Sequence, residues 1–330
     1  MNTREVILIP AAVSLVVASI SLPLVLVALK RMNVLDIPNE RSLHNSAVPR
    51  GGGIALTIAY AMGLLSLGSI LWPIWLSTVG FALVGAWDDV KSRSPLLRLG
   101  LQFLVAGASC LGLIFVLEKP VWIFPLLLFV LISTVNAVNF MDGINGITAL
   151  HAVVWGASYA ILFWFLNQDS YIGLGIVLCA IGLAFLPWNF PKAKLFLGDS
   201  GSYLIGGSLG LLAILGILAD APLAALSPIA IYAADTGAAI SRRIRSGERL
   251  TEPHKTHVFQ KLVDSGWSHS RSALTTVGFT IITAVLGILS VNQPVILQLL
   301  LLLFILVTCA VYLSLPRRAQ SRLESETEVE

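Results

Sequence analysis

The chain of 330 residues is poor in charge: Asp, Glu, Lys and Arg make up only 12% of it, against about 25% in a typical soluble domain. So few polar side chains cannot cover a water-soluble globule of this length. Hydrophobic residues reach 56% and mean hydropathy is +0.86, which excludes intrinsic disorder as well. Cysteine is nearly absent. Cys110, Cys179 and Cys309 all sit in apolar runs, without metal-ligand spacing and without a disulfide framework. Walker A and Rossmann glycine signatures are also missing. The class that remains is a polytopic integral membrane protein.

What the sequence does have is long apolar runs. Eleven stretches are candidates to cross a bilayer: 6–29, 54–71, 74–87, 99–117, 121–138, 147–166, 171–187, 203–219, 223–241, 273–291 and 295–315. A helix needs roughly 20 apolar residues for this. The third run is short and follows the second across Trp72-Pro73, so ten spans is the alternative count. The runs are continuously apolar, not alternating, which excludes a transmembrane barrel. The expected fold is therefore an all-α helical bundle of 10–11 spans. The first run is too long for a signal-peptide core and is expected to be an uncleaved helix.

Basic residues are almost missing from one side of this bundle. Loops 30–53, 88–98, 139–146, 188–202, 242–272 and 316–330 carry all but Arg4 and Lys119 of the 21 Lys and Arg residues. The positive-inside rule makes those loops cytoplasmic, with the N-terminus outside and the C-terminus inside. The expected organisation is one transmembrane domain over 1–315, with chemistry in its cytoplasmic loops. A disordered, acidic and solvated cytoplasmic tail is expected over 316–330.

Polar residues beside membrane helices are costly and point to function. They collect in five clusters, all on the basic side. The first holds Arg41, His44 and Arg50, followed by Gly51-Gly52-Gly53; a basic juxtamembrane loop is its plain alternative. The second is Asp88-Asp89 at the end of an apolar run, where acids oppose the helix macrodipole. Adjacent helical residues point about 100° apart, so each carboxylate can hold a different group, such as a metal and a phosphate. The third is Asn136, Asn139 and Asp142, spaced three apart on one helix face. The fourth is Gly198-Asp199-Ser200-Gly201, a helix start suited to anions, whose Asp can recruit Mg²⁺ to a diphosphate. The fifth is a basic loop containing His254 and His257. Without a third close ligand these two read as phosphate-binding residues, not a zinc site. Asp235 lies inside the ninth run and is expected to face the bundle, in or near the site.

Hard oxygen ligands, carboxamides, a helix N-terminus and Arg, His and Lys suit an Mg²⁺-bound phosphate ester. Phosphoryl transfer is mainly positioning and charge neutralisation. At this point the chain resembles the polyprenyl-phosphate N-acetylhexosamine-1-phosphate transferases of bacterial envelope synthesis, glycosyltransferase family 4. That family includes the GlcNAc-1-phosphate transferase acting on undecaprenyl phosphate and the phospho-MurNAc-pentapeptide translocase. The resemblance rests on Asp36-x-Pro38-x-x-Arg41-x-x-His44 with Pro49-Arg50, on Asp88-Asp89, on Asn136-Ala-x-Asn139-x-x-Asp142-Gly143, and on Gly198-Asp199-Ser200-Gly201. It runs from about residue 30 to about residue 270.

The resemblance implies that a UDP-N-acetylhexosamine and polyprenyl (undecaprenyl) phosphate react to give polyprenyl-diphosphate-HexNAc and UMP. It implies Mg²⁺, with Mn²⁺ as a substitute, and an active site on the cytoplasmic face of the bacterial inner membrane. It implies no nucleic-acid partner and allows a homodimer. Asp199 would be a metal ligand, and Asp88 and Asp89 would orient or deprotonate the lipid phosphate and assist the metal. Asn136, Asn139 and Asp142 would hold the uridine nucleotide, and His254 and His257 would bind phosphate or sugar. Two departures stand out. Ser92 replaces the third Asp of an Asp-Asp-x-x-Asp pattern, and Pro253-His254-Lys-Thr-His257-Val-Phe-Gln260 replaces the His-x-His-His form. The latter resembles the branch that initiates O-antigen chains, often with a 6-deoxy-N-acetylhexosamine. GlcNAc-1-phosphate transfer is the alternative within the family. A secondary transporter of an anionic metabolite is the alternative outside it, and would place its charges near the bilayer midplane.

Overall fold

The structure is a computed structural model; it describes residues 3–38, 46–68, 70–90, 94–247 and 256–327. Fourteen α-helices are described. The first is α1 (Thr3–Arg31), followed by α2 (Gly53–Leu65), α3 (Trp72–Trp75), α4 (Phe81–Val90), α5 (Pro95–Val116), α6 (Phe124–Met141) and α7 (Ile147–Phe165). Then come α8 (Asp169–Asn189), α9 (Gly198–Leu218), α10 (Pro222–Leu226), α11 (Ala230–Arg245), α12 (Val258–Asp264), α13 (His269–Leu289) and α14 (Val295–Thr327). Among the described residues, nine helical stretches are long and apolar enough to cross a membrane. The chain is thus a polytopic, predominantly α-helical membrane protein.

The second and third apolar runs do not reach that length as single α-helices. The second folds as the shorter α2. The third begins at Trp72 and Pro73 as helix α3, passes through a π-helical turn over Leu76–Gly80, and continues as α4. Trp72-Pro73 is therefore a helix start with Pro at its first turn, where the missing N–H costs nothing. The ninth run is also interrupted: a 3₁₀ turn over Ser227–Ile229 joins α10 to α11. Beyond residue 315, where a disordered tail is expected, α14 continues through Pro316 to Thr327. Ala, Gln, Arg, Leu and Glu dominate that extension, and all are strong helix formers.

A departure from all-α is a small ladder. Strands β1 (Leu35–Asp36) and β2 (Val48–Pro49) pair antiparallel. The segment after β2 then bridges Phe196.

The bundle is organised around α9. Every residue from Gly198 to Gly216 is buried, and α9 packs mainly against α4 and α6. Gly, Ser and Ala make up much of this helix, and small residues let helix backbones approach closely where lipid offers no hydrophobic drive. Helices α7 and α8 pair beside this centre, α1 packs on α2 and α8, and α14 leans on α13. Leucine-rich α14 and α1 leave large apolar side chains such as Leu303, Phe304 and Leu8 exposed, as a hydrocarbon surround requires.

Candidate functional site

The site is assembled where three chain segments meet the first turn of α9. The segment leading into α2 is laid against the segment leading into α9 by backbone bonds. Phe196 N–H donates to the Pro49 carbonyl at 2.8 Å, Gly52 N–H to the Phe196 carbonyl at 2.9 Å, and Gly53 N–H to the Leu197 carbonyl at 2.8 Å. This clamp delivers Arg50 to Asp199. The Arg50 guanidinium bonds Asp199 Oδ1 at 2.9 Å, and its Nε lies 3.3 Å from Asp89 Oδ1.

Asp199 is nearly buried and its carboxylate is crowded with donors. Besides Arg50, Asn139 Nδ2 donates to Oδ1 at 3.0 Å and also to Ser202 Oγ at 2.9 Å. Arg98 lies 3.8 Å from Oδ2 and pairs with Asp88 Oδ2 at 3.0 Å. Asp88, Asp89 and Asp199 thus converge, although more than a hundred residues separate the pair from Asp199. Two arginines partly neutralise them.

A cavity of about 320 Å³ opens beside this cluster. Arg50, Asn139, Asp142 and Asp199 line one side of it, and Asn145, Asn189, Gln260 and His269 contribute to the rest. The loop after α6 is fixed from several directions. Asn189 Oδ1 accepts from Gly146 N–H at 2.7 Å, Asn145 Nδ2 donates to the Pro191 carbonyl at 3.3 Å, and His269 Nδ1 accepts from Asn145 N–H at 3.4 Å. Asp142 caps the C-terminus of α6. Its surface is part-exposed, but what it meets is the cavity. Burial pushes its carboxyl up to about 6; the nearby Thr148 hydroxyl and the charge of Arg50 oppose this, and the charge of Asp89 reinforces it. Burial works against a charged Arg50, but the carboxylates of Asp199, Asp89, Asp36 and Asp142 outweigh it and raise its pKa above the ordinary arginine value.

Not every expected residue reaches the cavity. Asn136 lies one turn deeper in α6 and donates to Gln102 Oε1 at 2.7 Å and to the Ile132 carbonyl at 2.9 Å. Asp235 is fully buried and does not line the cavity. It accepts from Val258 N–H at 3.0 Å and Tyr312 Oη at 2.9 Å, and it pairs with His257 Nδ1 at 3.1 Å. Asp235 and His257 therefore form an anchor that fixes the start of α12 to α11 and α14. The reason is depth: an acid inside a helix needs several donors, and the N-terminus of α12 supplies one. Arg41, His44 and His254 lie outside the described residues.

Arg98 and Gln102 were not singled out by sequence reasoning, though a signal existed. Ser94 caps α5, so Arg98 falls in its first turn, where a cation opposes the macrodipole. Gln102 follows one turn later in an apolar span, another position that demands a partner.

The arrangement suits a phosphorylated ligand: guanidinium groups for anionic oxygens, hard carboxylate and carboxamide oxygens beside them, and a polar cavity. Among the described residues no three His, Cys, Asp or Glu side chains are grouped as a ready metal cage. Mg²⁺ seldom needs one, since it commonly takes one or two carboxylates and completes its shell with water and substrate phosphates. The oxygen chemistry of Asp199 and Asp88 fits that mode.

Comparison with known proteins gives the same direction. The family model described as Glycosyl transferase family 4 matches residues 71–217. A phospho-N-acetylmuramoyl-pentapeptide-transferase of Moorella thermoacetica (strain ATCC 39073 / JCM 9320) is 30% identical over 314 residues, covering 84% of this chain and 96% of the relative. The chain belongs to glycosyl transferase family 4. Two further members of similar likeness act with a different sugar by name. A Bacillus subtilis (strain 168) protein named as a probable undecaprenyl-phosphate N-acetylglucosaminyl 1-phosphate transferase is 29% identical, covering 81% of this chain and 80% of its own. The undecaprenyl-phosphate alpha-N-acetylglucosaminyl 1-phosphate transferase of Escherichia coli O157:H7 is 28% identical, covering 84% and 83%. Overall identity thus does not separate the muramoyl-pentapeptide and GlcNAc members. The segment of this chain matched by the family model includes Asp88, Asp89, Asn139, Asp142 and Asp199, but neither Arg50 nor the α11–α13 region.

Proposed function

We propose that this family-4 protein transfers an N-acetylhexosamine-1-phosphate from a UDP-sugar to polyprenyl phosphate, releasing UMP. The observation that carries the reading is Arg50 bridging Asp199 and Asp89 at the edge of a polar cavity shared with Asn139 and Asp142. Such a site neutralises a diphosphate on one side and offers metal-binding oxygens on the other.

The chemistry balances simply. A phosphate monoester has its second pKa at about 6 and is mostly dianionic at pH 7, so the lipid phosphate needs little deprotonation. Its oxygen attacks the phosphorus that bears the sugar. The bond from that phosphorus to the bridging oxygen breaks, and the electron pair leaves with UMP. Arg50 takes up charge on the diphosphate oxygens, and Arg98 holds Asp88 toward Asp199. Asn139 orients Asp199, and Asp142 and the cavity beyond it receive the nucleotide. Asp199 with Asp88 would hold Mg²⁺, which supplies further neutralisation of the diphosphate when bound.

The sidedness of Lys and Arg supports an active site on the cytoplasmic face of the bacterial inner membrane, with the N-terminus outside. The loop Pro253-His254-Lys-Thr-His257-Val-Phe-Gln260 favours a 6-deoxy-N-acetylhexosamine and the first step of O-antigen synthesis. The names of the Bacillus and Escherichia relatives favour GlcNAc. The test is purified protein in detergent with polyprenyl phosphate, Mg²⁺ and a panel of UDP-sugars, reading UMP and the lipid product. UMP release dependent on both lipid and Mg²⁺ is expected. Substrate uptake into vesicles without UMP release would instead establish a transporter.

A further inference from the structure

Asp89 is expected to share the work of Asp88 on metal or phosphate, but its carboxylate is turned elsewhere. Oδ1 accepts the backbone N–H of Asp199 at 2.8 Å and Oδ2 accepts that of Ser200 at 2.9 Å. Its side chain is 6% exposed, and it does not line the cavity. The N–H groups it takes belong to the first turn of α9, which have no partner within their own helix. The residue preceding α9, Leu197, provides no side-chain bond to them. The cap comes from another helix.

A second contact between the same two helices has the same effect. Gly85 precedes Asp89 by one turn of α4, and a Cβ there would sit 2.2 Å from the carbonyl oxygen of Asp199. Gly198 has φ +76°, and a Cβ on it would sit 2.7 Å from Asp89 Oδ2. Helix α4 thus holds the Asp199–Ser200 peptide at both ends: Asp89 Oδ2 accepts the Ser200 N–H, and Gly85 packs against the Asp199 C=O. Asp89 Oδ1 holds the preceding N–H, that of Asp199 itself.

We infer that Asp89 and Gly85 are positioning residues, which fix the depth and rotation of the first turn of α9 and so aim the Asp199 carboxylate, and that Asp89 is neither a metal ligand nor a base. The structural part of this inference stands on the contacts alone; its kinetic part rests on the proposed transfer reaction. Replacing Asp89 by Asn leaves a single acceptor oxygen and turns an NH₂ group toward a backbone N–H. That removes one charge-assisted bond outright and sets two donors against each other.

The test uses the full chain in detergent. In EDTA and without substrates, amide hydrogen exchange over Asp199–Ser200 should quicken at least tenfold in Asp89→Asn and stay within about twofold of wild type in Asp88→Asn. Melting temperature should fall in Asp89→Asn. A ligand-only role predicts the reverse, since neutralising one acid in a metal-free carboxylate cluster relieves repulsion. Unchanged exchange with an equal or higher melting temperature would overturn the inference. In turnover assays, Asp89→Asn and Gly85→Ala should each lower kcat by tens of fold, with KM for both substrates within about threefold. The double variant should be no slower than the worse single variant. A tenfold rise in the Mg²⁺ concentration for half-activity, with kcat retained, would make Asp89 a metal ligand. Should Gly85→Ala fail to fold, the exchange comparison between Asp89→Asn and Asp88→Asn decides alone. Wild-type protein that releases no UMP from any UDP-sugar would refute the transfer reaction, while the exchange data would still decide whether α4 caps α9.

Discussion

Arg50 and Asp199 stand 149 residues apart in the chain and 2.9 Å apart in space. The backbone ladder between the α2 and α9 entry segments makes that distance, and the pair makes the site electrostatically workable. Without Arg50, three carboxylates would face each other with Arg98 as the nearby counter-charge.

Arg50→Lys keeps the charge but not the fork that spans Asp199 and Asp89. A lysine reaches one partner as a point charge. We expect kcat/KM to fall about 10- to 100-fold in Arg50→Lys and about 1,000-fold in Arg50→Ala, the scale of losing one preorganised donor to developing charge. Steady-state UMP release checks this. Equal activity of Arg50→Lys and wild type would show that the fork is dispensable.

Asp199→Asn should abolish turnover while the protein still elutes as folded material in size-exclusion chromatography. Removing Mg²⁺ with EDTA should stop wild-type turnover, and adding Mg²⁺ back should restore it. Activity retained in EDTA would remove Asp199 and Asp88 from any metal-holding role.

Much of this site is legible in the amino-acid sequence. Asp88, Asp89, Asn139, Asp142 and Asp199 stand out because polar groups at the ends of apolar spans are expensive, and lysine and arginine counts put them on one side of the bilayer. What the pattern could not give is rotation and depth. A membrane helix that is apolar all round has almost no amphipathic face, so the sequence does not reveal that Asn136 turns to Gln102 and not to the cavity. Nor does it reveal that Asp235 is fully enclosed. The interruptions were equally hidden: neither the π-helical turn at Leu76–Gly80 nor the 3₁₀ turn at Ser227–Ile229 has a distinct hydropathy signature. Asp89 shows the deepest limit, because its partners are backbone N–H groups that every residue except proline carries.

The Asp142 carboxyl, pushed from 3.8 up to about 6, gives a pH dependence with a definite sign. Between those two values the folded protein binds more protons at this position than the unfolded chain. Stability contributed by Asp142 is therefore greatest at low pH, falls as pH rises through that window, and is level above it. Asp142→Asn resembles the protonated group and should flatten this component. We expect the difference in melting temperature between Asp142→Asn and wild type to be more positive at pH 7 than at pH 4.5. A difference that shrinks or reverses toward pH 7 would contradict the raised value.

Tyr312 tests whether the C-terminal helix supports the site from a distance. Its hydroxyl donates to Asp235 Oδ2 at 2.9 Å, and Asp235 in turn pairs with His257 and accepts the N–H of Val258 at the head of α12. That helix carries Gln260, which lines the cavity. Tyr312→Phe removes one donor from a buried carboxylate and leaves the ring packed against Phe279. Such a loss typically costs about 1–3 kcal/mol. We expect a lower melting temperature and a rise of severalfold in KM for the UDP-sugar, with kcat nearly unchanged, because the lost bond loosens the cavity wall without touching Asp199 or Arg50. Asp235→Asn in the Tyr312→Phe background should add less than it does alone, since both variants break the same network. Strictly additive effects would mean that α14 packs on the bundle without steadying the cavity.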